Sequence, residues 1–171
     1  MPLEKKPATI QEWFEYGRQC FHKPDGVEAV KALERVCDMD PSYVHSDGDN
    51  AYFYLGKINE VESRLADAVM LYTRALAVDL WDEESLIGRG SCLSSMGKYA
   101  EAIEDFKKVL QIPDKKRRSP RKHLVYVIAE NYRKLQDWGL AIYWGQMALN
   151  SDPGNDRHRQ LLDKIVARIG D

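Results

Sequence analysis

One spacing recurs four times along this chain of 171 residues: a small residue is followed, twelve positions later, by an alanine. The four pairs are Gly17 with Ala29, Gly56 with Ala68, Gly90 with Ala102, and Ala129 with Ala141. A large apolar residue stands four positions before the first member of each pair, namely Trp13, Tyr52, Leu86 and Val125. The first members are 39, 34 and 39 residues apart, which is a period of 34 with five extra residues after the first and third units. A fixed period in this range predicts a repeat architecture.

The third unit, residues 86–113, indicates what one copy folds into. Its apolar residues follow the i, i+3, i+4 spacing of a helix on both sides of Gly97. Glycine at that position suits the left-handed conformation that ends a helix. Because Gly90 and Ala102 are both small, two antiparallel helices can approach each other closely there. Each unit is therefore predicted to be a helical hairpin.

The order of a large residue, a small one four positions later, an alanine twelve further on and a closing proline resembles the tetratricopeptide repeat family. The closing prolines are Pro41, Pro113 and Pro153. The resemblance covers about residues 10–153. It implies an all-α fold, a right-handed solenoid (an α-α superhelix) of four antiparallel hairpins, with a last amphipathic helix that caps the open end.

The predicted organisation follows from this register. We expect a flexible leader over residues 1–9, a repeat domain over residues 10–155 and a capping helix over residues 156–171. The four hairpins are predicted at about residues 10–41, 49–80, 83–113 and 120–153, with insertions at 42–48 and 114–119.

Composition indicates an ordinary globular chain. Hydrophobic residues make up 44% of the chain and charged residues 30%, as in typical folded domains. No run of about 18 apolar residues predicts a membrane span, and the first ten residues lack the apolar core of a secretory signal. Cys20, Cys37 and Cys92 have no metal or redox spacing, so we interpret them as reduced packing thiols and expect a cytoplasmic protein.

No catalytic motif accompanies these features. The four histidines, His22, His45, His123 and His158, stand apart from one another and from the cysteines. The sequence contains no GxSxG, phosphate-loop or zinc-helix motif. We therefore predict that the chain is not an enzyme and that it needs no cofactor or metal.

The family that the chain resembles lines a concave groove with the first helix of each hairpin, which implies a binding surface for a peptide or a segment of a partner protein. Counted from each small residue, positions −6, −3, +1 and +4 are expected to face that groove. The predicted groove residues are Phe14, Arg18, Phe21, Asn50, Phe53, Lys57, Ile87, Ser91, His123, Tyr126, Glu130 and Arg133.

Position −3 carries an apolar row of four residues: Phe14, Phe53, Ile87 and Tyr126. An exposed row of this kind would mark an interaction site, and the charged groove residues would then set the orientation and choice of partner. The alternative is that the row packs between neighbouring helices or under the last helix. The leading hypothesis is a non-catalytic scaffold or adaptor, and self-association through the row or the last helix is left open.

Some co-chaperones with this kind of repeat grip the C-terminal carboxylate of a chaperone, and the resemblance allows a test for that activity. The positions that carry the grip hold Phe14, Arg18, Tyr54, Glu84 and Gly88 here. Only one cation is left, and Glu84 would repel a carboxylate. We do not expect this chain to bind chaperone tails.

The second insertion region is strongly basic. Its six cations are Lys115, Lys116, Arg117, Arg118, Arg121 and Lys122. The chain as a whole has a formal charge of −2, so the remainder carries −8. This patch could dock an acidic partner, an anionic membrane or nucleic acid, or act as a nuclear import signal if the source is eukaryotic. Nucleic acid is the weaker idea, because no aromatic residue interrupts the run to stack on a base.

The alternative for this run is a solvated loop between repeats. Ser119 precedes Pro120 and is a candidate phosphorylation site, which would place negative charge inside the patch.

Overall fold

The structure, a computed structural model, describes residues 7–23 and 26–168. The described residues form nine helices and no strand. The helices are α1 (Ile10–Phe21), α2 (Val27–Met39), α3 (Ala51–Val61), α4 (Leu65–Val78), α5 (Glu83–Ser95), α6 (Tyr99–Gln111), α7 (Arg121–Lys134), α8 (Trp138–Ser151) and α9 (Asp156–Ala167). The predicted all-α class is confirmed in this part of the chain.

The first helix begins at a capping box. The Thr9 hydroxyl accepts a hydrogen bond from the Glu12 backbone N–H at 3.2 Å, and the Glu12 carboxylate accepts one from the Thr9 N–H at 3.0 Å. Two backbone groups that a helix leaves unpaired are satisfied in this way. Residues 1–6 of the predicted leader and residues 169–171 of the predicted cap lie outside the described residues.

The chain divides into two compact units, Met1–Gly88 and Arg89–Asp171. We call them the N-terminal and the C-terminal unit. In the N-terminal unit α1 packs on α2 and α3 packs on α4, with further contacts from α2 to α3. In the C-terminal unit α7 packs on α6 and on α8, and α8 packs on α9.

The recurring small residues mark the places where a helix meets a large side chain of its partner. A Cβ added to Gly17 would lie 2.8 Å from Leu33 Cγ, and one added to Gly90 would lie 3.0 Å from the Phe106 ring. The large residue stands four positions after the alanine of the same unit. Interior packing at this density leaves no space for an added methyl group. The period in the sequence therefore reflects packing: a small residue on the first helix of a hairpin faces a large residue on the second helix.

The fourth hairpin departs from this rule. Gly145 stands where the other units have Leu33, Tyr72 or Phe106, and a neighbouring helix fills the space. A Cβ added to Gly145 would lie 3.3 Å from Leu162 Cδ1 and 3.6 Å from Ile165 Cδ1, both on α9. The missing side chain on α8 thus lets α9 pack closely against it.

Tyr72 is the largest fully buried side chain among the described residues of the N-terminal unit. Its hydroxyl donates a hydrogen bond to Glu60 Oε2 at 2.6 Å. A Cβ added to Gly56 would lie 2.9 Å from the ring carbons Cδ1 and Cε1, and one added to Gly88 would lie 2.5 Å from Cζ. The ring therefore occupies space that two glycines leave empty on α3 and α5.

The turns between paired helices use the left-handed backbone conformation at equivalent positions. Gly97 has a φ of 80°, and Ser63 and Gln136, which stand 34 residues before and 39 residues after it, each have a φ of 61°. Glycine adopts this conformation without the steric cost that a side chain adds. The turns of the second and fourth hairpins therefore hold a non-glycine residue in a conformation that is unfavourable for it.

Replacing Gly88 or Gly56 by alanine should lower the free energy of unfolding by about 1–3 kcal/mol, because the new methyl group overlaps the Tyr72 ring. The same glycine replacements should cost less when Tyr72 is leucine, which leaves room near Cζ. Urea unfolding of the single and double variants measures this coupling. Strictly additive effects would show that the ring is not what limits the space.

Replacing Gln136 by glycine should raise the free energy of unfolding by up to about 1 kcal/mol, because it removes a side chain from a left-handed residue. Gly97→Ala, the reverse change at the equivalent turn, should lower it by about the same amount. The midpoints of urea unfolding give both values. A Gln136→Gly variant that is less stable than the parent would contradict the strain at this turn.

Candidate functional site

The face of α1 that the sequence predicted as groove is closed. Phe14 is fully buried. Its ring stacks on His45 with a centroid distance of 5.1 Å and meets Tyr43 and Tyr54 edge-on at 5.7 and 5.9 Å. Tyr43 and His45 belong to the first insertion. The prediction that Phe14 is an accessible groove residue is wrong, because a segment outside the repeat packs over it.

Charged contacts hold this insertion against α1. Arg18 Nη1 lies 2.5 Å from Asp47 Oδ2 and 3.7 Å from Asp49 Oδ2. His45 Nε2 lies 2.9 Å from Glu15 Oε1. Its Nδ1 lies 2.8 Å from Asp47 Oδ1, close enough for an ion pair but without the geometry of a hydrogen bond. Arg18, predicted to face a partner, is therefore engaged within the chain.

The same contacts act on the protonation of Asp47. Its contact with His45 lowers the pKa of the carboxyl most, burial raises it, and the Arg18 guanidinium lowers it further. The net result is a pKa well below the ordinary value of an aspartate. Because the pKa is lowered in the folded chain, this carboxylate stabilises the docked insertion above about pH 4 and loses that effect as the pH falls further.

Asn50 is also buried, with 2% of its surface exposed. It is the N-cap of α3, and its Oδ1 accepts a hydrogen bond from the Phe53 backbone N–H at 3.1 Å. A cap of this kind satisfies one of the unpaired amides at the start of a helix. The prediction that Asn50 faces the groove is therefore wrong.

The other predicted groove residues before α7 are neither fully buried nor fully exposed. They are Phe21, Phe53, Lys57, Ile87 and Ser91. Phe21 and Phe53 each pack edge-on against the Tyr54 ring, at 5.3 and 5.1 Å. The aromatic side chains of the N-terminal unit thus form a cluster among themselves, with limited surface left for a partner.

The face of α7 is different, because it stays accessible along its length. His123, Tyr126, Glu130 and Arg133 follow helical spacing on one side of the helix. His123 is exposed and the other three are partly exposed. A cavity adjoins each end of this stripe, which we call the α7 face.

The first cavity has a volume of about 270 Å³. It is lined by His123, Tyr126, Val127, Asn155, Arg157 and His158. Sequence reasoning missed the last three residues, because α9 was read only as a cap. The spacing of His158 relative to Leu161 and Ile165 would have placed it on the packed side of α9.

His158 links α9 to the α7 face. It is buried, and its ring stacks on Tyr126 with a centroid distance of 5.2 Å and an interplanar angle of 23°. Its Nδ1 lies 2.8 Å from the Ala148 carbonyl oxygen. Since a carbonyl can only accept, Nδ1 carries the hydrogen in this contact. The ring is therefore fixed in plane and tautomer.

The second cavity has a volume of about 440 Å³ and lies at the other end of the stripe. Its lining includes Ser94, Tyr99, Glu130 and Arg133. Arg133 Nε donates to Glu130 Oε2 at 2.7 Å, so these two predicted groove residues form an ion pair on the face. This cavity therefore offers charges of both signs and the hydroxyl groups of Ser94, Ser95 and Tyr99.

Some basic side chains of the second insertion region already contact other groups of the chain. The Arg117 side chain is 4% exposed and donates to the carbonyls of Ser119 and Ile112 and to Asp114 Oδ1, at 2.9, 3.2 and 2.5 Å. Arg117 therefore holds the loop together through hydrogen bonds to its own residues. Its prediction as part of a docking patch is wrong, because its donors are used inside the loop.

Lys122 is also engaged, since its Nζ lies 3.1 Å from Asp152 Oδ2. This contact is the largest of the effects that lower the pKa of Asp152. The exposed cations of the run are Lys115, Lys116, Arg118 and Arg121. Ser119 is partly buried, and its phosphorylation stays a prediction.

Other chemistry has little support in the described residues. They contain no group of three or more histidine, cysteine or acidic side chains placed to hold a metal. Cys20 and Cys92 are buried free thiols, and burial raises the pKa of Cys37 to about 11. A thiol with that pKa is almost entirely protonated at neutral pH and is a poor nucleophile. No described helix is long and apolar enough to cross a membrane.

Comparison with known proteins fits this geometry. Residues 83–112 match the sequence model of the tetratricopeptide repeat. The prediction of a tetratricopeptide repeat is confirmed for this segment of the chain. No curated protein matches it by sequence.

Many solved structures resemble this chain in fold, and three of them show the range. MamA from Desulfovibrio magneticus RS-1 superposes with a TM-score of 0.75 at 16% identity, over 95% of this chain and 86% of that one. A tetratricopeptide repeat protein from Parabacteroides merdae gives 0.75 at 21% identity, over 93% and 60%. The first repeat domain of Spaghetti (RPAP3), bound to an HSP90 peptide, gives 0.63 at 17% identity, over 75% and 98%. The predicted fold class, an all-α tetratricopeptide repeat solenoid, is confirmed.

Replacing Asp47 by asparagine should loosen the first insertion and lower the thermal unfolding midpoint of the protein at pH 7. The loss of stability below about pH 4 should become shallower, because over that range the unfolded parent binds a proton at Asp47 while the folded chain, in which the pKa of Asp47 is lowered, keeps the carboxylate. Thermal unfolding followed by circular dichroism at several pH values measures both effects.

Asp163→Asn is the matched control. Asp163 is exposed on α9 and makes no hydrogen bond or ion pair with another described residue. Its replacement should leave the pH profile unchanged. Identical profiles for the two variants would contradict the role of Asp47 in holding the insertion.

Proposed function

We propose that this protein is a non-catalytic interaction scaffold and that the α7 face binds a segment of a partner protein. The main support for this proposal is that a cavity adjoins each end of one accessible stripe. His123 and Tyr126 line the first cavity, and Glu130 and Arg133 line the second. A peptide lying along α7 could place one side chain in each cavity. Pockets of a few hundred cubic ångströms are of the size that binds such groups.

Two further points support this proposal. Tetratricopeptide repeat proteins generally act as scaffolds, and a domain of the same fold is bound to a peptide in a solved structure. Tyr126 also has the character of an interface residue, since it offers a broad ring whose position is already fixed by the His158 stack. A fixed ring loses little conformational freedom when a partner covers it.

The chaperone-tail activity is not part of this proposal. The N-terminal unit has lost Phe14 and Asn50 from its accessible face, and Arg18 is paired with Asp47. The half-buried residues Phe53 and Lys57 stay candidates for an additional contact.

Docking through the basic run is the weaker alternative. Its cations Arg117 and Lys122 already have partners in the chain. A solvated loop with the remaining charges would bind through screened electrostatic attraction and lose affinity as salt rises. We therefore place the binding site on α7.

Tyr126→Ala should weaken the binding of peptides selected on the parent protein from a displayed random library. We expect about a tenfold or greater rise in Kd, since a buried aromatic anchor typically contributes more than about 1.4 kcal/mol. Fluorescence anisotropy with labelled peptides gives the Kd values, and circular dichroism confirms that the variant is folded.

Tyr143→Ala is the matched control, because Tyr143 is also a tyrosine but lies 55% exposed on α8, away from both cavities. It should keep the parent Kd. A Lys116→Glu variant tests the alternative. If Lys116→Glu loses peptide binding while Tyr126→Ala keeps it, the site is the basic run. A molecular mass that rises with protein concentration in the absence of peptide would indicate self-association.

A further inference from the structure

The first cavity beside α7 has a marked electrostatic character. Three of its lining residues, His123, Arg157 and His158, are cationic or can become so. Among the residues that the structure describes, no carboxylate lines it. Tyr126 and Val127 supply apolar surface on the α7 side. A cavity lined in this way attracts a negatively charged group.

Arg157 is available for such a group. Its backbone N–H donates to Asn155 Oδ1 at 3.1 Å, but its guanidinium makes no hydrogen bond or ion pair with the described part of the chain. Arg159, two residues further along α9, differs. It contacts Asp156 Oδ1 at 3.2 Å and the Pro153 carbonyl at 3.3 Å. The nearby Asp152 carboxylate is occupied by Lys122.

His158 is held in a fixed orientation at this cavity. Its Nδ1 hydrogen is directed to the Ala148 carbonyl and its ring is stacked on Tyr126. The other ring nitrogen, Nε2, is left for a ligand, and protonation would make it a donor. Because the ring is already ordered, a ligand that meets it loses little further freedom of the side chain.

We infer that the cavity between α7 and α9 binds an oxyanion, a carboxylate or phosphate group carried by the partner segment. This inference rests on the proposed peptide binding at the α7 face and adds the chemical class that the first cavity selects. Arg157 supplies a permanent charge in a forked donor geometry that matches both kinds of oxyanion. His123 supplies a further donor, and His158 supplies one when its Nε2 also carries a proton. Tyr126 and Val127 contact the apolar part of the ligand.

The test uses the full chain and two probes, inorganic phosphate and acetate, each titrated against chloride at matched ionic strength. The ring resonances of the four histidines are followed by NMR at constant pH. His123 and His158 should shift and saturate with at least one oxyanion. His22 and His45, in the other unit, serve as internal references and should follow the chloride baseline. The relative affinity of the two probes distinguishes a phosphate site from a carboxylate site.

Arg157→Gln should weaken the saturable shifts by about tenfold, because it removes a charge-assisted contact. Arg159→Gln on the same helix should titrate like the parent. The inference is overturned if Arg157→Gln behaves like the parent, or if all four histidines shift alike, which would indicate general charge screening.

The selected peptides separate this inference from the proposed function. If they bind, lose affinity in Tyr126→Ala and are indifferent to Arg157→Gln, the partner site stands and the oxyanion inference fails. If phosphate or acetate titrates at His158 and the parent selects no peptide, the oxyanion site stands and the proposed partner binding fails.

Discussion

The helices of this protein pack closely because small residues face large side chains. Tyr72 fits because Gly56 and Gly88 have no side chain where its ring lies. In the fourth hairpin the empty position is on α8 instead, at Gly145, and residues of α9 fill it. This packing fixes α9 against the hairpin, and the same helix carries His158 onto Tyr126 and Arg157 to the edge of the first cavity. A missing side chain on α8 thus leads directly to a candidate binding site on α7.

The equivalent aromatic residue of the first helix is buried in the N-terminal unit and partly exposed in the C-terminal unit. Phe14 and Tyr126 occupy the same position of the repeat, and each stacks with a histidine from the segment after its hairpin. In the N-terminal unit the histidine belongs to an insertion that is pinned by charged contacts and buries Phe14 completely. In the C-terminal unit it belongs to a helix, and Tyr126 keeps an exposed edge beside a cavity. The segment that succeeds each hairpin, more than the hairpin itself, therefore decides whether the face is open.

The repeat register predicted the fold well because it is a packing rule that each hairpin obeys locally. Gly97 was readable as a helix end for the same reason. The predictions for Phe14 and Asn50 were wrong because insertions and caps lie outside that register, and spacing says nothing about where an insertion folds back. Arg117 was misread since a run of like charges gives no sign that one member donates to its own loop. The cavity at α9 needed tertiary contacts between residues about thirty positions apart.

Hydrogen–deuterium exchange of the full chain, with and without a selected peptide, shows whether the α7 face is the binding site. Local protection reports where a ligand stabilises the fold. Binding at the α7 face predicts slower exchange in α7 and in the segment from Asp152 to His158, with no change in residues 42–49. Protection confined to residues 42–49, or to residues 113–119, would place the site on one of the insertions and contradict the claim.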